Sequence, residues 1–246
     1  MQYLLAIPVL FFKRLGFLTF IFLIFVCSAE AKIQISQNVE PERREAIVND
    51  IREKTGLVSL AADENNVLFL KGLNEILGGS ETMRSLILGA IEDMENTFLI
   101  QDYSRSARIN FSQTDQGTVN VETGKTRYIV GFDFDDFEKS RRYSSDEALG
   151  SFSLGINLFH EIDHKVSYDP TDPIPESGVR PDKSSERERG VIENTNLVRE
   201  ELGLIARDPK SKFGIRYRGL VSQFRNTLQI LFRNKKGKRR FLRWRS

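Results

Sequence analysis

The two histidines of this 246-residue chain stand four residues apart, at His160 and His164, with Glu161 directly after the first. The stretch Phe159-His160-Glu161-Ile162-Asp163-His164-Lys165 requires a helix if the histidines are to work together. On a helix, positions i and i+4 are neighbours about 5–6 Å apart, so two imidazoles can converge on one ion. Glu161 points aside from that pair and cannot ligate with it, but it is placed to take a proton from water. HExxH therefore reads as two zinc ligands and a general base on one helical face. A catalytic Zn2+ takes three protein ligands and leaves one position for water. The chain has no further histidine, so the third ligand must be a carboxylate. Asp163, inside the motif, is expected to face solvent and not to ligate.

A helix of this kind needs a core to lie on. Hydrophobic residues at 40% and charged residues at 28% describe an ordinary globular chain, long enough for one domain. Residues 1–31 read as a leader. Lys13 and Arg14 precede an apolar run from Leu15 to Cys27, and Ser28-Ala29-Glu30-Ala31 resembles a cleavage site. A secreted or periplasmic protein is expected. The alternative is an uncleaved membrane anchor, although the run is shorter than the roughly 20 residues of a spanning helix. The only cysteine, Cys27, lies in this leader, so disulfide and thiol chemistry drop out.

Beyond the leader, Pro41 and Gly56 punctuate a helix. Leu57–Leu60 and Val67–Leu70 flank Asn65-Asn66 as a hairpin. Ser80 caps a helix with Met83, Leu86, Ile87, Ile91 and Met94 as its core face. Three antiparallel strands are expected between Ala107 and Phe134, at Arg108–Phe111, Thr118–Val121 and Tyr128–Phe132. Ser144 and Glu147 form a capping box, but Gly150 and Gly155 move the start of the motif helix toward Ser153. A proline-rich loop begins at Asp169, and a helix resumes near Ser185 and ends at Gly203. These elements predict an α+β, zincin-like fold. A small antiparallel sheet packs on the HExxH helix, and a following helix carries the third ligand. The expected organisation is a signal peptide (1–31), a metallopeptidase domain (32–219), and an amphipathic segment with a basic tail (220–246).

The last helix offers Glu186, Glu188, Glu193, Glu200 and Glu201 as carboxylate ligands, the first two near its start. Glu188-Arg189-Gly190-Val191-Ile192, followed by Asn196, Arg199, Glu201, Gly203 and Arg207, resembles the tail of the NleD-like effector zinc peptidases. In that family the HExxH helix is followed by E-x-x-A/T-V-x-x-E-N-x-x-R-x-E-x-G-x-x-x-R, and related domains end bacterial Rhs-type toxins. The resemblance covers residues from about 151 to 217. It departs at Thr195, which stands where the pattern has glutamate, while a Glu193-Asn194 pair lies just upstream. The resemblance implies Glu188 as the third ligand. A register shift of two implies Glu186, and Glu193 is the next alternative. It also implies that Asn196 and Arg199 hold that glutamate or pack its helix. Arg216 or Tyr217 are candidate donors to an oxyanion.

The activity expected is that of a zinc endopeptidase acting on protein or peptide substrates, either an effector or toxin or a housekeeping enzyme. Zinc would bring the pKa of a bound water to about 7. A non-catalytic secreted or membrane-surface binding protein is the competing class. Its working part would be the basic tail, which from Arg233 onward holds eight Lys or Arg and no acid. Such a run suits an anionic membrane, at about 1 kcal/mol per basic residue near the surface. It suits nucleic acid less well. The plain alternative is a solvated tail.

Overall fold

Three strands lie side by side at the centre of the protein: β1 (Ile33–Ile35), β4 (Asn96–Asp102) and β7 (Thr126–Phe132). The computed structural model describes residues 32–72, 75–104, 109–166, 183–208 and 227–245, with the side chains of 183–189, 227–228 and 244–245 outside that description. The expected leader, the proline loop, Arg216 and Tyr217 lie outside the described residues.

β1 runs parallel to β4, with Ile33 opposite Phe98, and β4 runs parallel to β7, with Phe98 opposite Tyr128. Ile33, Ile35, Phe98, Ile100, Val130 and Phe132 are buried. Strands of parallel pairs are commonly covered on both faces and read as apolar runs without a period of two. β5 (Ser112–Thr114) and β6 (Thr118–Val119) pair with β7 antiparallel, and β5 ends the sheet order β1-β4-β7-β5. The three antiparallel strands expected between Ala107 and Phe134 are thus corrected to a mixed sheet. The run ending at Phe111 is not a strand, because Phe111 has φ 59° and turns the chain while its ring is buried. Antiparallel pairing otherwise occurs in the hairpin of β2 (Leu60–Ala62) and β3 (Leu68–Leu70) and in a three-stranded C-terminal sheet. The fold is α+β.

Six helices surround these sheets among the described residues. α1 (Pro41–Thr55) begins at its proline and closes on Gly56 at φ 72°, a left-handed conformation that glycine adopts without strain. α2 (Glu81–Glu92) is capped by Ser80, whose Oγ accepts the Met83 N–H at 3.0 Å. It ends before Met94, which is 68% exposed, so Met94 is not part of the expected core face. The capping box at Ser144 moves by one residue. Ser145 caps α4 (Asp146–Gly150), which follows α3 (Phe134–Arg141). The motif lies on a separate helix, α5 (Leu154–Val166), and the Gly155 N–H near its start donates to Asp50 of α1 at 2.6 Å. α6 (Lys183–Glu201) follows and packs on α5. No helix among the described residues is long and apolar enough to cross a membrane.

The C-terminal segment folds back. β9 (Thr227–Arg233) and β10 (Arg239–Arg245) form an antiparallel hairpin, and β8 (Ala206–Arg207) adds to β9. Ile230, Phe232 and Leu242 join Phe111, Ala148 and Phe152 in a second apolar core. Between Thr227 and Arg245 the expected amphipathic segment and solvated tail are therefore replaced by a hairpin with one buried face.

Candidate metal centre

α5 divides its residues by face. Leu158, Phe159 and Ile162 enter the main core, while His160, Glu161 and His164 line a cleft of about 150 Å³ between α5, α6 and β5. The ring centroids of His160 and His164 lie 4.8 Å apart with their planes at 83°. The i, i+4 spacing thus brings the two imidazoles together as the sequence requires.

Thr195 of α6 sets the chemistry of His160. Its hydroxyl donates to the Val191 carbonyl at 2.6 Å and lies 3.1 Å from His160 Nδ1. A hydroxyl has one proton. With that proton on Val191, Thr195 can only accept from the imidazole, so Nδ1 carries the hydrogen and, in the neutral ring, Nε2 carries the lone pair. A histidine that ligates a metal is commonly oriented in this way by a partner on its other nitrogen. The tautomer fits a divalent metal.

Glu161 is buried and held by alternate residues of β5. Ser112 Oγ donates to Oε1 at 2.8 Å, and the Thr114 N–H and Oγ1 donate to Oε2 at 2.9 and 3.0 Å. Each carboxylate oxygen offers two lone-pair sites. The Thr114 N–H takes one site on Oε2, its hydroxyl proton is shared between Oε2 and the Glu161 carbonyl at 3.1 Å, and Oε1 keeps one site beyond Ser112 among the described contacts. Ser112, Thr114 and Thr195 were not foreseen. Thr195 carried a signal as the residue that breaks the resemblance, whereas Ser-Gln-Thr on a short strand carried none.

Asp163 corrects its expectation of facing solvent. It is 1% exposed, and Asn194 Nδ2 donates to its Oδ2 at 3.0 Å. It turns toward α6.

The glutamates of α6 separate by position. Contacts Asn194–Asp163, Thr195–His160 and Arg199–Ser151 show that α6 runs antiparallel to α5. Position 188 is seven residues, about two turns, before Thr195 and so falls on the same helical face. Positions 186 and 193 fall about half a turn away from that face, and Glu193 is exposed. Glu200 is also exposed. Glu201 accepts from Ser80 Oγ and from Thr82 N and Oγ1, tying the end of α6 to the start of α2. Among the described residues no three His, Cys, Asp or Glu side chains form a metal-holding group.

Asn196 and Arg199 pack α6 on its neighbours. Asn196 Nδ2 donates to Arg207 O, its Oδ1 accepts the Arg207 N–H, and both bonds are 2.8 Å. Arg199 Nε donates to Ser151 O at 2.8 Å and Nη1 donates to Asn196 Oδ1 at 3.0 Å. Arg199 and Arg207 are both buried and line the same cleft as the histidines. Burial, with the Arg207 charge beside it, pulls the Arg199 guanidinium down to about 9.

Compared with protein-family models, curated proteins and solved structures, the chain matches none.

Proposed function

We propose that the chain is a zinc-dependent peptidase of zincin-like plan, with His160, His164 and Glu188 as the metal-holding residues and Glu161 as the proton carrier. The observation that carries this reading is the shared cleft of His160, Glu161 and His164, with Thr195 setting the His160 tautomer. Glu188 is preferred over Glu186 and Glu193 because its helix position matches that of Thr195. A zinc ion bound there would act as a Lewis acid toward a scissile carbonyl and lower the pKa of water.

The chain's own residues do the rest. Thr195 keeps the lone pair of His160 on Nε2. Ser112 and Thr114 hold the Glu161 carboxylate at one rotamer, with an Oε1 lone pair able to take a proton from water and return it to a leaving amine. The resemblance to NleD-like peptidases supports the same reading and suggests an effector or toxin role, and the leader suggests release from the cell.

The test compares wild-type protein with Glu161→Gln and His160→Ala on a peptide library read by mass spectrometry, with zinc measured per chain. Wild type should cleave and hold about one zinc. Glu161→Gln should hold zinc without cleaving, and His160→Ala should lose the metal. A Glu161→Gln protein as active as wild type would overturn the mechanism. A wild-type protein that holds zinc and cuts nothing would favour the binding-protein class.

A specific surface supports one further partner. Arg233, Lys235, Lys236, Lys238, Arg239 and Arg243 are exposed on the β9–β10 hairpin. They present a cationic face suited to an anionic membrane, and less suited to nucleic acid.

A further inference from the structure

Arg199 is 2% exposed, and among the described residues no carboxylate is paired with it. Its partners are neutral: the Ser151 carbonyl, the Asn196 amide oxygen, and the Phe232 ring, whose centroid lies 5.4 Å from the guanidinium carbon. The two hydrogen bonds occupy two of the five N–H donors of a guanidinium. A buried cation without a counter-charge is among the least favourable arrangements a fold can hold. Arg207, 3% exposed, brings a second positive charge to the same wall of the cleft. Burial and that neighbouring charge are what pull Arg199 down to about 9. Glu161, the acid that shares the cleft, gives its carboxylate to Ser112 and Thr114 instead.

Packing alone does not explain the Arg199 guanidinium beside the histidine pair. An apolar side chain would fill the same volume without the desolvation penalty. A planar guanidinium fork matches a carboxylate, which it binds by two parallel N–H···O bonds. We propose that Arg199 anchors a carboxylate-binding subsite next to the His160–His164 pair. The preferred peptide then presents either its own C-terminal carboxylate or an Asp or Glu side chain at this wall. The identity of the ligand as a peptide rests on the peptidase reading, whereas the anion preference of the cleft does not.

The experiment uses the full chain carrying Glu161→Gln, which prevents turnover, and three dye-labelled peptides of one sequence in about 0.15 M salt. One is neutral and amide-capped, one has a free C-terminus, and one is amide-capped with a single internal glutamate. Fluorescence anisotropy should show one acidic peptide binding about tenfold or more tighter than the neutral one, and which peptide does so identifies the source of the carboxylate. Sodium acetate should displace that peptide at concentrations where sodium chloride does not. The preference should fall away in Arg199→Gln and persist in part in Arg199→Lys. Equal affinity for the three peptides, or an unchanged preference in a folded Arg199→Gln protein, overturns the subsite. Should Arg199→Gln fail to fold, the acetate competition decides alone. Preferential binding with no cleavage by wild type would sink the peptidase reading and leave the subsite standing. Cleavage without acidic preference would do the reverse.

Discussion

Ser112 Oγ lies 2.8 Å from Glu161 Oε1 and joins an edge strand to a helix 49 residues further along the chain. Thr114, two residues on and therefore on the same face of β5, closes on the other carboxylate oxygen through its N–H and its hydroxyl. The period of a strand thus meets the carboxylate on a helix, and the sheet edge orients the group proposed to move the proton. The candidate site is held from two sides, by β5 on Glu161 and by α6 on His160.

Loosening β5 should slow the reaction without removing the metal. Hydrogen bonds to a charged group contribute about 1.5–3 kcal/mol, and 1.36 kcal/mol is tenfold in rate. Ser112→Ala should lower kcat about tenfold, and Ser112→Ala with Thr114→Val by about a hundredfold, with zinc per chain unchanged. Steady-state kinetics and metal analysis check this. An effect confined to KM would mean that Ser112 contacts substrate and does not orient Glu161.

Thr195→Val should weaken zinc binding by about 10–100-fold, the range seen when the partner of a ligating histidine is removed. Thr195→Ser should restore most of it, because serine keeps the acceptor. Competition with a chromophoric chelator measures both. Equal affinity in the valine and wild-type proteins would show that the Nδ1 hydrogen is not held by residue 195.

Much of this site was legible in sequence where local rules dominate. α5 follows from two histidines at i and i+4, α1 from Pro41 and Gly56, and α2 from Ser80, because helix punctuation acts over one turn. β1 is not legible because Ile33-Gln34-Ile35 alternates over only three residues, and β4 because Phe98–Ile100 is a short apolar run in a parallel pair, which has no alternating signature. Asp163 was misplaced because helix phase alone does not tell which side another helix will cover, and α6 covers it. The C-terminal strands were hidden by charge. Arg239, Arg240 and Arg243 surround Leu242, yet the single buried leucine decides which way that strand faces.

The hairpin separates stability from surface charge. Leu242 is fully buried in the second core, so Leu242→Ala should cost about 2–5 kcal/mol in urea denaturation. Lys235, Lys236 and Lys238 are exposed, and replacing all three with glutamine should change stability by less than about 0.5 kcal/mol per site. The triple variant should co-sediment less with vesicles containing anionic lipid than wild type does. This design is preferable to deleting residues 233–246, which would remove β10 and its core residue together. Vesicle binding unaltered in the triple variant would retire the lipid contact.

Asp133 supplies a pH signature independent of the proposed chemistry. It caps α3 by accepting the Asp136 N–H at 3.0 Å while only 6% exposed. Burial, with the Asp136 and Asp135 charges adding to it, pushes its carboxyl up to about 6 from 3.8. The folded state therefore holds the proton more tightly than the unfolded chain. Its stabilising contribution is fully present below about pH 4 and is lost as pH rises through 6. At pH 7.5 the ionised group should cost about 1–3 kcal/mol, at 1.36 kcal/mol per pKa unit. Asparagine caps a helix about as well as aspartate and carries no charge. Asp133→Asn should accordingly raise Tm at pH 7.5, by about 2–4 °C for each kcal/mol, and leave it near the wild-type value at pH 4. A gain of equal size at both pH values, or a loss at pH 7.5, would show that the Asp133 charge is compensated in the fold.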